Sequence, residues 1–133
     1  MGECVDNAAL ENVKNMQPLV LAFVGDGVHT LFVREHMAKK GDYKVNELNR
    51  MVKEKVNAGM QCKVFKAIEN SLTEEEHSIA YRARNGVKGQ GAKNYSPTEY
   101  NYATAFEALV GYLYLSKQTE RLNEVLEKSL KEI

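Results

Sequence analysis

Two cysteines, Cys4 and Cys62, are all that the sequence offers for thiol chemistry. They share no CxxC spacing and no neighbouring histidine cluster. Neither a disulfide framework nor a zinc site is indicated, and reduced thiols of a cytoplasmic protein are the default expectation. Net charge is equally scarce, because 18 Lys and Arg balance 18 Asp and Glu. A polyanionic partner would have to meet a local patch rather than the whole surface. No uninterrupted run of 18 apolar residues occurs, so no membrane-spanning helix is expected. The opening MGECVDNAAL holds two acids and no apolar run, unlike a secretory signal. Asp6 stands where a myristoylation motif requires Ser or Thr. Internal repeats, Pro-, Ser- or Gln-rich tracts and alternating strand patterns are missing too.

What is present reads as one helical domain. At 133 residues, 44% apolar and 27% charged, the chain can bury a real core with no room for an appended module. Residues 1–16 are expected to be loosely ordered or a short helical segment. Pro18 suits an early helix position, and Leu19, Ala22, Phe23, Thr30 and Val33 recur at helical spacing until Lys39, Lys40 and Gly41 end the helix. A second helical region spans Val45 to Asn70 with a break near Asn57-Ala58-Gly59. Thr73–Glu76 and Ser96–Glu99 are capping boxes. The first opens a helix ending at Asn85-Gly86, the second a helix running to Leu115. A last amphipathic helix carries Leu122, Val125, Leu126 and Leu130. The expectation is an all-α domain of five to seven helices spanning residues 1–133.

Two segments hold a lone acid among apolar residues. LVLAFVGDGVHTLFV centres on Asp26, with Gly25 and Gly27 on either side, and ATAFEALVGYLYL contains only Glu107. An ionised carboxylate without water costs several kcal/mol unless something compensates it, whether a cap, a salt bridge, a raised pKa or a cation. Either acid alone could sit at the core edge beside an Arg or Lys. Together they suggest convergence. Each glycine costs roughly 1 kcal/mol in a helix, so a pair around one acid suggests close backbone approach. Paired carboxylates suit Mg²⁺, which takes one or two of them and completes its shell with water and substrate phosphate. Such an ion activates water and stabilises developing phosphate charge.

LAFVGDGV resembles the signature helix of the ribonuclease III family, and TAFEALVGYLYL resembles its second catalytic helix, in the expected order. The resemblance runs from about Pro18 to the end of the chain and is nearest to the Mini-ribonuclease III group, which has a catalytic domain and no double-stranded-RNA-binding domain. It implies an all-helical homodimer that cuts double-stranded RNA with Mg²⁺, Mn²⁺ being able to substitute. It implies Asp26 and Glu107 as metal-binding catalytic acids and a role in maturing the large-subunit (23S) ribosomal RNA precursor in the bacterial cytoplasm. Longer relatives carry further acids at the positions of Leu19, Ala22 and Thr104. Here Thr104 could hold a metal-bound water through its hydroxyl. The opposing expectation is a catalytically silent dimer of the same fold that binds RNA or ribosomal components; retention of Asp26 and Glu107 favours the enzyme.

Between Glu76 and Glu99 no acid occurs, while Arg82, Arg84, Lys88 and Lys93 do. This basic, glycine-rich segment suits phosphate contacts with A-form RNA, which is read largely through shape and backbone. The plainer alternative is a solvated loop. A nucleotide-binding P-loop is excluded, since Ala92 replaces the lysine and no strand precedes it. His29 is expected mainly as a buried, hydrogen-bonded residue, and His36 and His77 on the surface. Five of the seven tyrosines lie between Tyr95 and Tyr114 and are expected in packing and dimer contacts, with Tyr95 a candidate for touching RNA. The apolar residues on the two acid-bearing helices, Phe23, Phe32, Phe106, Tyr112 and Tyr114 among them, exceed what a small core needs, and some of them are expected to face a second copy. Gly25 and Gly27 would allow that helix to approach closely.

Overall fold

The computed structural model describes residues 12–87 and 96–131, and among them all regular structure is helical. Residues 12–14 are helical, and six α-helices follow: α1 Pro18–Lys40, α2 Val45–Lys55, α3 Ala58–Ile68, α4 Glu74–Gly86, α5 Pro97–Leu115 and α6 Thr119–Lys131. A single 3-10 turn, Glu69–Ser71, joins α3 to the chain before α4. Cys4, Lys88, Lys93 and Tyr95 lie outside the described residues.

Local chemistry explains most boundaries. Pro18 and Pro97 begin their helices, where a missing N–H removes no intrahelical bond. Thr73 Oγ1 accepts from Glu76 N at 3.1 Å while Glu76 Oε1 accepts from Thr73 N at 3.0 Å. Ser96 and Glu99 form the same reciprocal pair ahead of α5. The break between α2 and α3 belongs to Asn57. Its Oδ1 caps α3 through Met60 N at 2.9 Å, and its Nδ2 donates back to Lys53 O at 2.8 Å. Beyond the last residue of α5, Leu115, the chain turns at Lys117, whose φ of 60° is left-handed. Gln118 N donates to Leu113 O and Lys117 N to Tyr114 O, so the last carbonyls are satisfied by a Schellman turn.

α5 is the central helix, packed by α1, α3, α4 and α6. Its Phe106, Leu109 and Leu113 are fully buried against Leu21 of α1, Phe65 of α3, Ile79 of α4 and Val125 of α6. Each such side chain contributes about 1.5–3 kcal/mol on burial. A smaller cluster of Val33, Met37 and Val52 closes the far end of α1 against α2. Glu76 is buried and held by Arg121, whose Nε and Nη2 both donate to it at 2.9 Å, tying α6 to the start of α4.

Packing sorts the apolar residues of α1 and α5. The core face of α1 is Leu21, Ala22, Gly25, His29, Val33 and Met37. Leu19 is 48% and Phe23 80% exposed, so both lie outside this core. Of the five apolar residues among which some are expected to face a second copy, Phe106 and Tyr112 are in the core, and Phe32 packs against both clusters. Phe23 and Tyr114 remain on the surface.

Candidate active site

Asp26 and Glu107 meet because α1 and α5 cross almost backbone to backbone. A Cβ on Gly25 would overlap the Glu107 carbonyl oxygen, and one on Gly111 would overlap the Leu21 carbonyl. Two glycines, one per helix, therefore set the crossing. Gly25 thus serves a contact within the chain, correcting the expectation that it would admit a second copy. Gly27, by contrast, has nothing within 4 Å of where its Cβ would lie.

Next to this crossing a cleft of about 620 Å³ opens, lined by Leu19, Ala22, Phe23, Asp26, Gly86, Val87, Tyr100, Thr104 and Glu107. Asp26 stands exposed at its mouth and Glu107 lies half-buried within it. The two carboxyls are neighbours in this cleft. Burial pushes Glu107 up from 4.5 to about 8, with the adjacent Asp26 adding to the effect through charge and hydrogen bond, while Gln61 opposes it. The cost of an acid in an apolar segment thus falls on Glu107 rather than on Asp26.

Thr104 is buried one turn before Glu107 and lines the same cleft. Its Oγ1 donates to Tyr100 O at 2.9 Å, which leaves the hydroxyl oxygen as an acceptor. His29, the next turn of α1 after Asp26, is fully buried behind the acids. Its ring stands edge-on to Phe106 at 5.0 Å, and its Nδ1 lies 3.1 Å from Gln61 Nε2. Burial lowers His29 from 6.5 to about 4 against the pull of Asp26, so it is neutral at pH 7. His36 and His77 are exposed.

Among the described residues, no group of three or more His, Cys, Asp and Glu could hold a metal ion. The acidic donor set is two carboxylates. That chemistry fits Mg²⁺. Two facing carboxyls, one driven towards its neutral form by burial and by the other's charge, are also the electrostatic situation that a divalent cation relieves.

The basic residues divide. Gly86 and Val87, at the end of α4, line the cleft itself. Arg82 is exposed and donates to Lys14 O at 3.0 Å. Arg84 is held in place: it donates to Tyr102 Oη at 3.1 Å and to Asn85 Oδ1, and its guanidinium lies 4.4 Å from the Tyr81 ring centroid. No sequence expectation covered Gln61. Its only signal was an amide on the core stripe of α3, three and four residues before the buried Val64 and Phe65.

These helices and paired acids define a class. The ribonuclease III domain family matches residues 19–118, and the chain belongs to that family of endoribonucleases. Within it, the chain is similar to the Mini-ribonuclease 3 of Symbiobacterium thermophilum, at 44% identity over 89% of this chain and 91% of that one. It is similar also to the Mini-ribonuclease 3 of Enterococcus faecalis, at 36% identity over 93% and 96% of the two chains. A solved structure of a protein from Fusobacterium nucleatum superposes with a TM-score of 0.82 at 37% identity, covering 88% of this chain and 93% of that one. No helix among the described residues is long and apolar enough to cross a membrane.

Proposed function

We propose that the protein is a Mg²⁺-dependent endoribonuclease that cuts double-stranded RNA as a homodimer, with the large-subunit (23S) ribosomal RNA precursor in the cytoplasm as its substrate. The observation that carries the reading is the Asp26–Glu107 pair, held at a glycine-to-glycine helix crossing beside an open cleft. The family supports RNA as the substrate; the ribosomal precursor is what the resemblance of the two acid-bearing helices implies.

Asp26 and Glu107 would hold the ion, which would supply an activated water and stabilise charge on the scissile phosphate. Glu107 has to be ionised to serve, and a cation beside it lowers its pKa towards the ordinary range. Thr104 Oγ1, its own proton engaged by Tyr100 O, is available to accept from a water in the cleft. Arg82, Arg84, Lys88 and Lys93 neutralise RNA phosphates. Arg84 acts there as a fixed cation, because Tyr81 and Tyr102 hold it in place.

Two strands require two cuts, and one acid pair supplies one. Leu19, Phe23, Gly27 and Leu31 follow at four-residue spacing along one side of α1, and the three apolar side chains are 48%, 80% and 58% exposed. That stripe borders the cleft and supports a second copy docking there, which would set two clefts about a twofold axis.

Incubation of the chain with a long RNA duplex tests the reading. Cleavage is expected with Mg²⁺ or Mn²⁺ and none with EDTA. Asp26→Asn and Glu107→Gln should each lower the rate on the order of 10³-fold or more, as loss of several kcal/mol of transition-state stabilisation implies. Binding of the duplex without any cut in Mg²⁺ would instead establish a catalytically silent RNA-binding dimer.

A further inference from the structure

Three helices converge behind Glu107, and the residue at the junction is not an acid. Gln61, on α3, is 4% exposed. Its Nε2 lies 3.1 Å from His29 Nδ1 on α1 and 3.5 Å from Glu107 Oε2 on α5. A primary amide carries two N–H bonds, so one nitrogen can serve both acceptors. A flipped amide would set its carbonyl oxygen against Oε2, which is repulsive once Glu107 is ionised. The His29 ring is locked edge-on against Phe106, with its Nε2 buried and unpartnered. In the tautomer that leaves Nδ1 as an acceptor, one amide N–H goes to His29 and the other faces the carboxylate. The 3.5 Å contact is at the long end of hydrogen bonding. Such contacts in a free enzyme commonly tighten when the ligand arrives.

We propose that Gln61 is the positioning residue of the acid pair: its amide, oriented by His29, fixes the Glu107 carboxylate in the rotamer that faces Asp26, ready for a divalent cation. The inference rests on the reading of Asp26 and Glu107 as cation ligands. Glu107 sits on a side chain with three rotatable bonds, and without a donor behind it nothing polar among the described residues other than Asp26 restrains its carboxylate. Groups that orient a metal-binding side chain typically account for 10–100-fold in affinity or rate. His29 acts one step further back, through Gln61.

The test removes the donor and keeps the shape. Gln61→Met, in the full-length chain, is titrated with Mn²⁺ alone by calorimetry and assayed on an RNA duplex. Mn²⁺ affinity should fall about tenfold or more, and kcat should fall 10–100-fold with KM for duplex unchanged, since the RNA-binding surface is untouched. A second measurement needs no variant at position 61. The assigned side-chain amide resonance of Gln61 in the wild-type chain should shift on saturation with Mg²⁺, and should stay put in Asp26→Asn. Wild-type Mn²⁺ affinity and kcat in a folded Gln61→Met, or an amide resonance unmoved by Mg²⁺ in the wild type, overturns the role of Gln61 alone. If Glu107→Gln binds Mn²⁺ as tightly as the wild type, the cation site falls and this inference with it.

Discussion

Glu107 and His29 are displaced in opposite directions by the same buried surroundings, and their pH signatures partly cancel. Glu107 titrates near 8 when folded and near 4.5 unfolded, so between those values the native state holds the extra proton and stability falls as pH rises. His29 titrates near 4 folded and near 6.5 unfolded. There the unfolded state holds the extra proton, and stability rises with pH across that interval. From about 4.5 to 6.5 the two slopes oppose each other; from about 6.5 to 8 only Glu107 remains. The metal-free protein should therefore lose stability between pH 6.5 and 8, by at most about 1.4 kcal/mol per pH unit from this group. Glu107→Gln should remove that decline. Thermal melts in EDTA across this range measure it, and an equally steep decline in the variant would contradict the assignment to Glu107.

Among the elements, two contacts hold the helices in place. The first is the α1–α5 crossing. Gly25→Ala forces a Cβ into the Glu107 backbone carbonyl, which is not a side chain that can swing away. The helices must separate, at a cost of about 1–3 kcal/mol or more. A displacement near 1 Å between catalytic groups can cost on the order of 100-fold in rate. Gly25→Ala should lower both melting temperature and kcat, whereas Gly27→Ala, with open space at its Cβ, should stabilise the folded monomer by up to roughly 1 kcal/mol. The second contact is Arg121 on Glu76, with both bonds at 2.9 Å onto a carboxylate that is 3% exposed. Arg121→Met leaves that carboxylate buried without its cation, and chemical denaturation should register a loss of about 3–5 kcal/mol.

For the molecule as a whole, zero net charge coexists with an acid-free, basic stretch of sequence between Glu76 and Glu99, and the exposed stripe of α1 borders the cleft of the two acids. Light scattering at low micromolar concentration should report about twice the chain mass of 15.0 kDa. Phe23→Glu, which puts a charge on the most exposed apolar residue of the stripe, should return it to the single-chain value. Alanine at Arg82, Arg84, Lys88 and Lys93 together should weaken duplex binding and flatten its dependence on log salt by up to roughly 3 to 4 units if each neutralises one phosphate. Unchanged affinity and slope would return that segment to a solvated loop.

Helix limits and the identity of the paired acids are legible in the amino-acid order because their causes are local. A capping box, a proline at the first helical position or Asn57 between two helices acts within three or four residues. What the order could not decide is which side of an almost uniformly apolar helix turns inward. α1 is apolar on nearly every side, so periodicity alone admits Phe23 to the core as readily as Leu21. Packing against α5 chose Leu21, because Gly25 and Gly111 permit close contact on that side only. The same applies to Gln61 and Glu107, which are 46 residues apart and meet only where α3 packs on α5. A long-range contact of this kind depends on shape and burial across the whole bundle, and so it belongs to the tertiary structure. The acids themselves, their spacing and the helices that carry them were already determined by the sequence.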